Sequence, residues 1–525
     1  MVDAREYHER TNHSPERLRR ESFSLDRSNR PRPYKIYEDL PRFAPDGGPD
    51  APETPALAAV ATADAAPPES APDPDGDPDV ETLCHYAAGI TKELEIRGQP
   101  MQFRAAACTG KLYHVDLYVV TGECGQFSPG VYHFDPHAGE FDVLREGDYR
   151  GVLAAAAGAR SDRGSATGVT DAPVTFVATS EWWRNAWKYR ERTYRHAFWD
   201  SGTILANLLA VAHGGGHRAE VVTGFADDPV VELLGLDPDE EAPLELVPVG
   251  SGSPVPEESV TDAADRTLDV EPIDPDERPL SEDPVDYPLV PDAWRQSRLA
   301  DGDAAAAWRE NVAHEVADTS LGERADPEDE WVDLDPVDRE TASARPVGKT
   351  IERRGSCREY GRNSISARKF ATVLDRALRG VPADAFAGDL RGLVDCYCLV
   401  HAVEGIDQGV YEYHPGSDEL ERVRETDRET AGQLALGQDV VGDAAVNVYL
   451  VADVEAVVEE FGNRGYRLAQ LEAGIILGRL YLATYAHLGL GGRGFTFFDG
   501  EVAEYLSPHA DGQTPMTLFA FGKPA

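Results

Sequence analysis

The stretch "AWKYRERTYRHAFWDSGTILANLL" (Ala186–Leu209) decides the fold, because the chain writes it twice. In "EEFGNRGYRLAQLEAGIILGRLYL" (Glu459–Leu482), the residues Arg464, Tyr466, Arg467, Ala469 and Gly474 repeat Arg192, Tyr194, Arg195, Ala197 and Gly202, always 272 positions on. In the second copy Leu468, Leu471, Ile475, Leu482 and Tyr485 share one helical face, but Ile476, Leu477 and Leu480 lie off it. A helix apolar around most of its circumference is a buried helix. Gly474 and Gly478 stand one turn apart on the same side, where a second helix can approach closely. The copies differ at their start, which reads Lys188-Tyr189 in one and Glu460-Phe461 in the other.

Moving outward, "VYHFDPHAGEFDVLREGD" (Val131–Asp148) aligns without gaps on "VYEYHPGSDELERVRETD" (Val410–Asp427), with seven of eighteen positions identical. Both alternate apolar and polar residues on either side of a proline-containing turn, the pattern of a β-hairpin. Upstream, "KLYHVDLYVVTG" and "RGLVDCYCLVHA" read as strands, with Asp116 matching Asp395 and Tyr118 matching Tyr397. Downstream, "PVTFVATS" and "AVNVYLVAD" are β-branched strands that each lead into the repeated helix. The predicted class is α+β: two tandem layered α/β modules forming an intramolecular pseudo-dimer.

The boundaries follow from composition. Residues 1–45 form an N-terminal arm, 79–250 the first module and 346–525 the second. Residues 46–78, rich in Pro, Ala and Asp, are expected to be a disordered acidic linker, with too little apolar area to offset the entropy of ordering. Residues 251–345 read as an acidic, Pro-rich connector carrying short helices around "PDAWRQSRLADGDAAAAWRENVAHEVAD".

A chain of 525 residues, 41% hydrophobic, is too long for one ordinary core. Lys plus Arg number 50 against 94 Asp plus Glu, a formal charge of -44, and only seven of the cations are lysines. That excess repels nucleic acid and anionic membrane surfaces, which are excluded as partners. It reads as a hydrated surface of halophilic type, with an acidic partner-binding face as the alternative. No apolar run reaches the roughly 18 residues of a membrane span, and the cytoplasm is the expected compartment. The cysteines, Cys84, Cys108, Cys124, Cys357, Cys396 and Cys398, contain no CxxC pair and are expected to be buried free thiols. Histidines such as His8, His13, His85, His114, His133 and His137 are scattered without an HExxH or paired-His spacing, so no metal is expected. Neither GxxxxGK[ST] nor a strand-linked GxGxxG occurs.

The strongest chemical signal is "IERRGSCREYGRNSISARKFATVLDRALRG" (Ile351–Gly380). Arg353, Arg354, Arg358 and Arg362 crowd together in an otherwise acidic chain, ahead of a capped amphipathic helix. Guanidinium forks suit a phosphate. The alternative is a solvated basic loop paired with the acidic surface.

"RRGSCREY" resembles the flavin-binding opening of the nitroreductase superfamily, with Gly355 where a second arginine is usual. The resemblance implies FMN as cofactor, held by Arg354, Ser356 and Arg358. "HLGLGGRGFTFFDGEVAEYL" resembles the family's glycine-rich C-terminal turn, which implies Gly491, Gly492 and Arg493 as phosphate neighbours. More narrowly, "YHERTNHSPERL", "PRPYKIYEDLP", "AACTGKLYHVDLYVV" and "WKYRERTYRHAFWDSG" resemble the SagB-type, thiazole/oxazole-forming flavin dehydrogenases. Ala107 and Cys108 stand where Pro and Ser are usual, and with Gly110 they are the implied ring contacts from the first module. The same resemblance implies Lys188 and Tyr189 as catalytic residues. Family sites are built from both subunits of a dimer, so one FMN per chain is expected between the modules. The reciprocal site, with "HGGGH" (213–217) and "ADAFAGD", reads as degenerate. The implied reaction is a two-electron dehydrogenation of an azoline in a modified peptide or a related small ring, and the implied partners are the proteins of a peptide-modifying complex. An NAD(P)H-dependent nitro, quinone or flavin reductase and a non-catalytic flavin-binding scaffold are the alternatives.

Overall fold

In a computed structural model of the chain, two antiparallel sheets flank a pair of crossing helices. The structure describes all residues except 1, 21–22, 61, 64–65, 70, 73–75, 97, 159–167, 256–269, 319–329, 339–344 and 387–391. The strands are β1 (Arg42–Phe43), β2 (Ile90–Ile96), β3 (Gln99–Arg104), β4 (Val115–Thr121), β5 (Gly130–Asp135), β6 (Glu140–Glu146), β7 (Val174–Glu181) and β8 (Glu241–Val249) in the first part of the chain. Then come β9 (Trp331–Asp333), β10 (Asp395–Val400), β11 (Gly409–His414), β12 (Glu419–Arg424), β13 (Val446–Ala452), β14 (Gly491–Phe495) and β15 (Thr514–Gly522). The first sheet has the order β1-β6-β5-β4-β7-β8, the second β14-β15-β13-β10-β11-β12-β9, and β2 and β3 form a separate ribbon.

The two sheets share one scheme. β6-β5-β4-β7-β8 corresponds strand for strand to β12-β11-β10-β13-β15. Even the irregularities correspond. A register shift at Val131/Tyr132 recurs at Val410/Tyr411, and one at Ala178/Thr179 recurs at Leu450/Val451. Both hairpins expected from the aligned eighteen residues are present, as β5–β6 and β11–β12.

Strand alternation explains the layering. In β4, Leu117 and Val119 face the central core, while Tyr118 and Val120 pack with Val230 and Leu233 of the outer helix Asp227–Leu234. In β10, Cys396 and Cys398 face the centre while Tyr397 and Leu399 face Leu434, Val441 and Val502. The two cysteines therefore share a face, as their spacing predicts, and both are buried and free. Of the six thiols, Cys108 alone is not fully buried.

The repeated helices, Thr193–Gly214 and Val454–Ala486, cross at the centre of a core common to both halves. They touch at Gly202 and Gly474, where no side chain separates the backbones. On either side of the crossing lies a buried ionic clamp. Arg192, immediately before the first helix, and Arg195 within it bind Asp499 at 3.0 and 2.8 Å, and Arg464 and Arg467 of the second bind Asp227 at 2.6 and 2.7 Å. Each pair of arginines thus reaches across to an aspartate of the other half. The N-terminal arm seals one clamp, with the Thr11 carbonyl accepting from Arg192 and the Thr11 hydroxyl from Arg195.

Disorder over residues 46–78 is not what the structure has in the part nearest the core. Ala56–Ala59 form a short, fully buried helix, and Thr54 donates to the Gly214 carbonyl. The run "PALAAV" is locally apolar, a property hidden by averaging over its Pro- and Asp-rich surroundings. In the 251–345 segment the helices Leu289–Gln296 and Gly302–Asp318 stand where short helices are expected. No helix among the described residues is long and apolar enough to cross a membrane.

Candidate functional site

The short helix Trp182–Tyr189 ends at Arg190, whose φ of 49° and ψ of -131° break the helical path before the long helix begins. The second half breaks at the corresponding place, Gly462, with φ 65°. The break turns Lys188 and Tyr189 toward a cavity of about 390 Å³ lined by both halves of the chain. From the first half come Ala107, Cys108, Gly110, Lys188, Tyr189, His196 and Asp200; from the second come Arg354, Ser356, Arg358, Tyr481, Arg493 and Phe497.

The loop through Cys108 and Gly110 is held in an unusual shape. Gly110, Lys111 and Tyr113 all have positive φ, of 65°, 59° and 51°. At Gly110 a Cβ would stand 2.8 Å from the Tyr189 hydroxyl, so only glycine lets this loop lie against that ring. Asp200, on the first long helix, is the anchor. It accepts from the Thr109 amide at 2.9 Å, the Thr109 hydroxyl at 2.8 Å and the Cys108 thiol at 3.1 Å. His114 Nε2 lies 3.0 Å from Asp200, with its Nδ1 2.8 Å from the Ser180 hydroxyl. Burial, reinforced by Asp200, pushes the Cys108 thiol well up, which makes it a protonated donor rather than a thiolate.

Asp200 does not feature in the sequence reading. Its signal was available: 272 residues on stands Glu472, whose carboxylate accepts from the Leu393 amide at 2.7 Å, just ahead of β10. Burial raises Glu472 to about 8.

The predicted residues fall into three groups. Ala107, Cys108, Gly110, Lys188, Tyr189, Ser356, Arg358 and Arg493 line the cavity. Arg354 also lines it, but its guanidinium is engaged by the carbonyls of Arg104, Ala105 and Ala106 at 2.7, 2.9 and 3.0 Å. It therefore binds the first half's loop to the second half. Gly491 and Gly492 do not line the cavity. They belong to β14 rather than to an open turn, and they are glycine because Pro524 and the Phe519 ring occupy the space a side chain would need.

Charge distinguishes the cavity from the rest of this acidic chain. Neither Arg358 nor Arg493 pairs with a carboxylate among the described residues. Burial and the neighbouring Arg358 lower the Arg493 guanidinium below its usual value. Lys188 is lowered by burial and then by Arg30 and Arg493, and its Nζ sits 4.8 Å from the Tyr189 ring centre. Tyr189 moves the other way, because burial, Asp200 and Cys108 all favour its neutral phenol.

Near the corresponding ground in the other half, side chains of the 251–345 segment make contacts. Trp308 and Arg309, on the helix Gly302–Asp318, sit beside Phe461, Gly224 and Asp384. The Trp308 indole donates to the Phe461 carbonyl at 2.9 Å, and Arg309 donates to the Gly224 carbonyl and lies 3.5 Å from Asp384. Of the "HGGGH" pair, His213 is buried with its Nε2 2.9 Å from the Ala219 carbonyl.

Comparison with known proteins bears on both halves. The sequence model of the Nitroreductase family matches residues 79–251. The Methanocaldococcus jannaschii protein named nitroreductase MJ1384 is 30% identical over 183 residues, which cover 33% of this chain and 87% of that protein. A crystal structure from Anabaena variabilis, described as a nitroreductase, superposes with a TM-score of 0.73 at 22% identity over 100% of both chains. Its likeness extends the shared fold to the whole length of the chain.

Proposed function

Because the chain belongs to the nitroreductase family of oxidoreductases, we propose that it is a flavin enzyme with one FMN site, built between two tandem modules that act as an intramolecular pseudo-dimer. The carrying observation is the mixed ownership of the cavity, with Lys188, Tyr189 and the Cys108 loop from one half and Ser356, Arg358 and Arg493 from the other. The common strand order, the recurring bulges and the crosswise arginine clamps support the pseudo-dimer. Trp308 and Arg309 near the reciprocal position support a single site.

The residues present fit FMN. A volume of about 390 Å³ lies within the range of roughly 300–1,000 Å³ typical of small-molecule sites. Arg358 and Arg493 supply charge for a phosphate, and Trp199, Tyr481 and Phe497 supply aromatic walls for a planar ring. Ser356, Ala107, Cys108 and Gly110 are assigned to the ring and ribityl part, and Arg354 to holding the loop that contacts it. FMN, when bound, would contribute its two-electron acceptor chemistry.

The chain's own task is to hold the substrate and move a proton. Lys188, with its ammonium form disfavoured, is the base that takes a proton from a ring carbon as the ring is oxidised. Tyr189 stays protonated and donates a hydrogen bond to a substrate heteroatom beside it. These roles suit the dehydrogenation of an azoline in a modified peptide or a related small ring, delivered alone or by partner proteins. The second reading is an NAD(P)H-dependent reductase of nitro compounds, quinones or flavins, favoured by the same two arginines, which could equally hold a dinucleotide phosphate. A non-catalytic scaffold is disfavoured by the two proton-moving side chains in the cavity.

The test is flavin loading of the purified full-length chain, followed by anaerobic addition of NADPH. One FMN per chain, weakened by Arg493→Ala, is expected. A colourless chain that takes up no FMN would overturn the proposal, and rapid bleaching by NADPH would transfer it to the reductase reading.

A further inference from the structure

On the face of the second sheet turned away from the long helices, Glu412, His414 and Glu421 each bring a ligand atom to within 4.8 Å of the others. Glu412 and His414 alternate along β11 and so share a face, and Glu421 stands opposite Glu412 on β12. His509, in the turn after the helix Asp499–Leu506, closes the remaining side. Its Nε2 lies 2.7 Å from Glu412 and 3.9 Å from Glu421, while His414 Nε2 lies 3.2 Å from Glu421.

We propose that Glu412, His414, Glu421 and His509 form a binding site for one divalent transition-metal ion, Zn²⁺ being the representative species. Two imidazoles with two carboxylates form a donor set suited to borderline divalent metals. Ligands about 2.0–2.2 Å from a tetrahedral ion stand about 3.4 Å from one another. The contacts of 2.7, 3.2 and 3.9 Å bracket that spacing, but of the four only Glu412, His414 and Glu421 lie mutually within 4.8 Å, so the His509 side chain must move to complete the shell. The Tyr397 hydroxyl donates to Glu412 at 3.4 Å, an outer hydrogen bond of the kind that orients a ligating carboxylate.

The first sheet supplies the comparison. Its aligned positions carry His133, Asp135 and Asp142, and there the balancing cation is built in. Arg42 of β1 pairs in register with Asp142, and its guanidinium lies 3.3 Å from Asp142 and 3.4 Å from Asp135. In the second sheet β9 takes the place of β1, and the residue in register with Glu421 is Trp331, an uncharged ring 5.0 Å from His414. Among the described residues, no lysine or arginine pairs with Glu412 or Glu421. This sheet has kept the acidic pair and added a second imidazole, and a metal ion would balance it as Arg42 balances the first. No metal was expected from the sequence because the donors are dispersed between 412 and 509 and meet only through strand pairing and one turn. A bound ion would pin the turn carrying His509 to the sheet.

The test is equilibrium dialysis of the full-length chain, first stripped with EDTA, against Zn²⁺, with bound metal measured per chain. Co²⁺ substitution then reports the ligand geometry by visible absorption. One Zn²⁺ per chain is expected, with affinity reduced at least about tenfold by His414→Ala and by His509→Gln, and with melting temperature raised by Zn²⁺ in the unaltered chain alone. His509→Gln lies on a partly exposed turn, so it tests the site even if the strand variant folds poorly. Absence of saturable uptake, or uptake undiminished in the His509 variant, would overturn the proposal.

Discussion

Gly202 and Gly474 meet where the two long helices cross, and neither position has room for a methyl group. A Cβ on Gly202 would stand 2.4 Å from the Gly474 carbonyl carbon, and a Cβ on Gly474 would stand 2.4 Å from the Phe198 carbonyl oxygen. These neighbours are backbone, so relief would require the helices to separate. Gly→Ala in an exposed helix gains up to about 1 kcal/mol. At this crossing overpacking should dominate, and Gly474→Ala is expected to destabilise by about 1–3 kcal/mol. Thermal unfolding measures it. A variant as stable as the unaltered chain would mean that the crossing is looser than described.

Asp499 is enclosed by Arg192 and Arg195. Burial alone would raise its carboxyl, but the two guanidiniums outweigh that effect and hold it well below the usual carboxylate range. Since the folded-state pKa lies below the unfolded one, the contribution is complete above about pH 4 and is lost as the pH falls toward the folded value. Asp499→Asn leaves two buried arginines without their counter-charge and should cost about 3–5 kcal/mol at neutral pH. The variant should also show a shallower loss of stability on the acid side. Chemical denaturation at several pH values reads both effects, and parallel acid limbs for the two proteins would contradict the assignment.

Repetition made the fold legible. Arg192/Arg195 and Arg464/Arg467 could be paired by offset alone, and the hairpins and buried helices followed from periodicity. The aspartates repeat at the same offset, Asp227 and Asp499 lying 272 apart with Phe225/Phe497, Val230/Val502, Glu232/Glu504 and Leu234/Leu506 around them, but an offset does not say that each aspartate serves the arginines of the other copy. The cavity was legible in its types of residue but not in their employment. An arginine in a phosphate-like motif carries no mark of being engaged by carbonyls, as Arg354 is. Asp200 was missed because its counterpart is Glu472, a conservative change that an identity count passes over. The glycines of β14 read as a turn because composition does not separate a glycine that bends the chain from one that makes room for Phe519.

Arg190 and Gly462 occupy equivalent breaks, with φ 49° at the arginine and 65° at the glycine. A side chain in that region costs about 1–3 kcal/mol. Arg190 also lies over the Phe23 ring, at 5.0 Å from its centre. Glycine and alanine replacements both remove that contact, so comparing them isolates the backbone. In an ordinary loop alanine is the more stabilising by about 0.4–1 kcal/mol. Here Arg190→Gly is expected to be more stable than Arg190→Ala by at least about 1 kcal/mol. The ordinary order, alanine above glycine, would show that no strain is held beside the cavity.

Lys188 carries the proposed proton transfer, and its lowered pKa fixes the sign of the pH dependence. A base must be neutral to act. Turnover should therefore rise with pH and level off below the usual lysine value of about 10.4. Lys188→Ala should lower kcat by about 10²–10⁴-fold and flatten that limb. Tyr189→Phe should depress kcat without moving it, because the phenol remains protonated across the range. Flavin content measured alongside separates a lost base from a lost cofactor, since Arg358 and Arg493 are untouched in both variants. A Lys188→Ala enzyme that retains the rising limb would place the base elsewhere in the cavity.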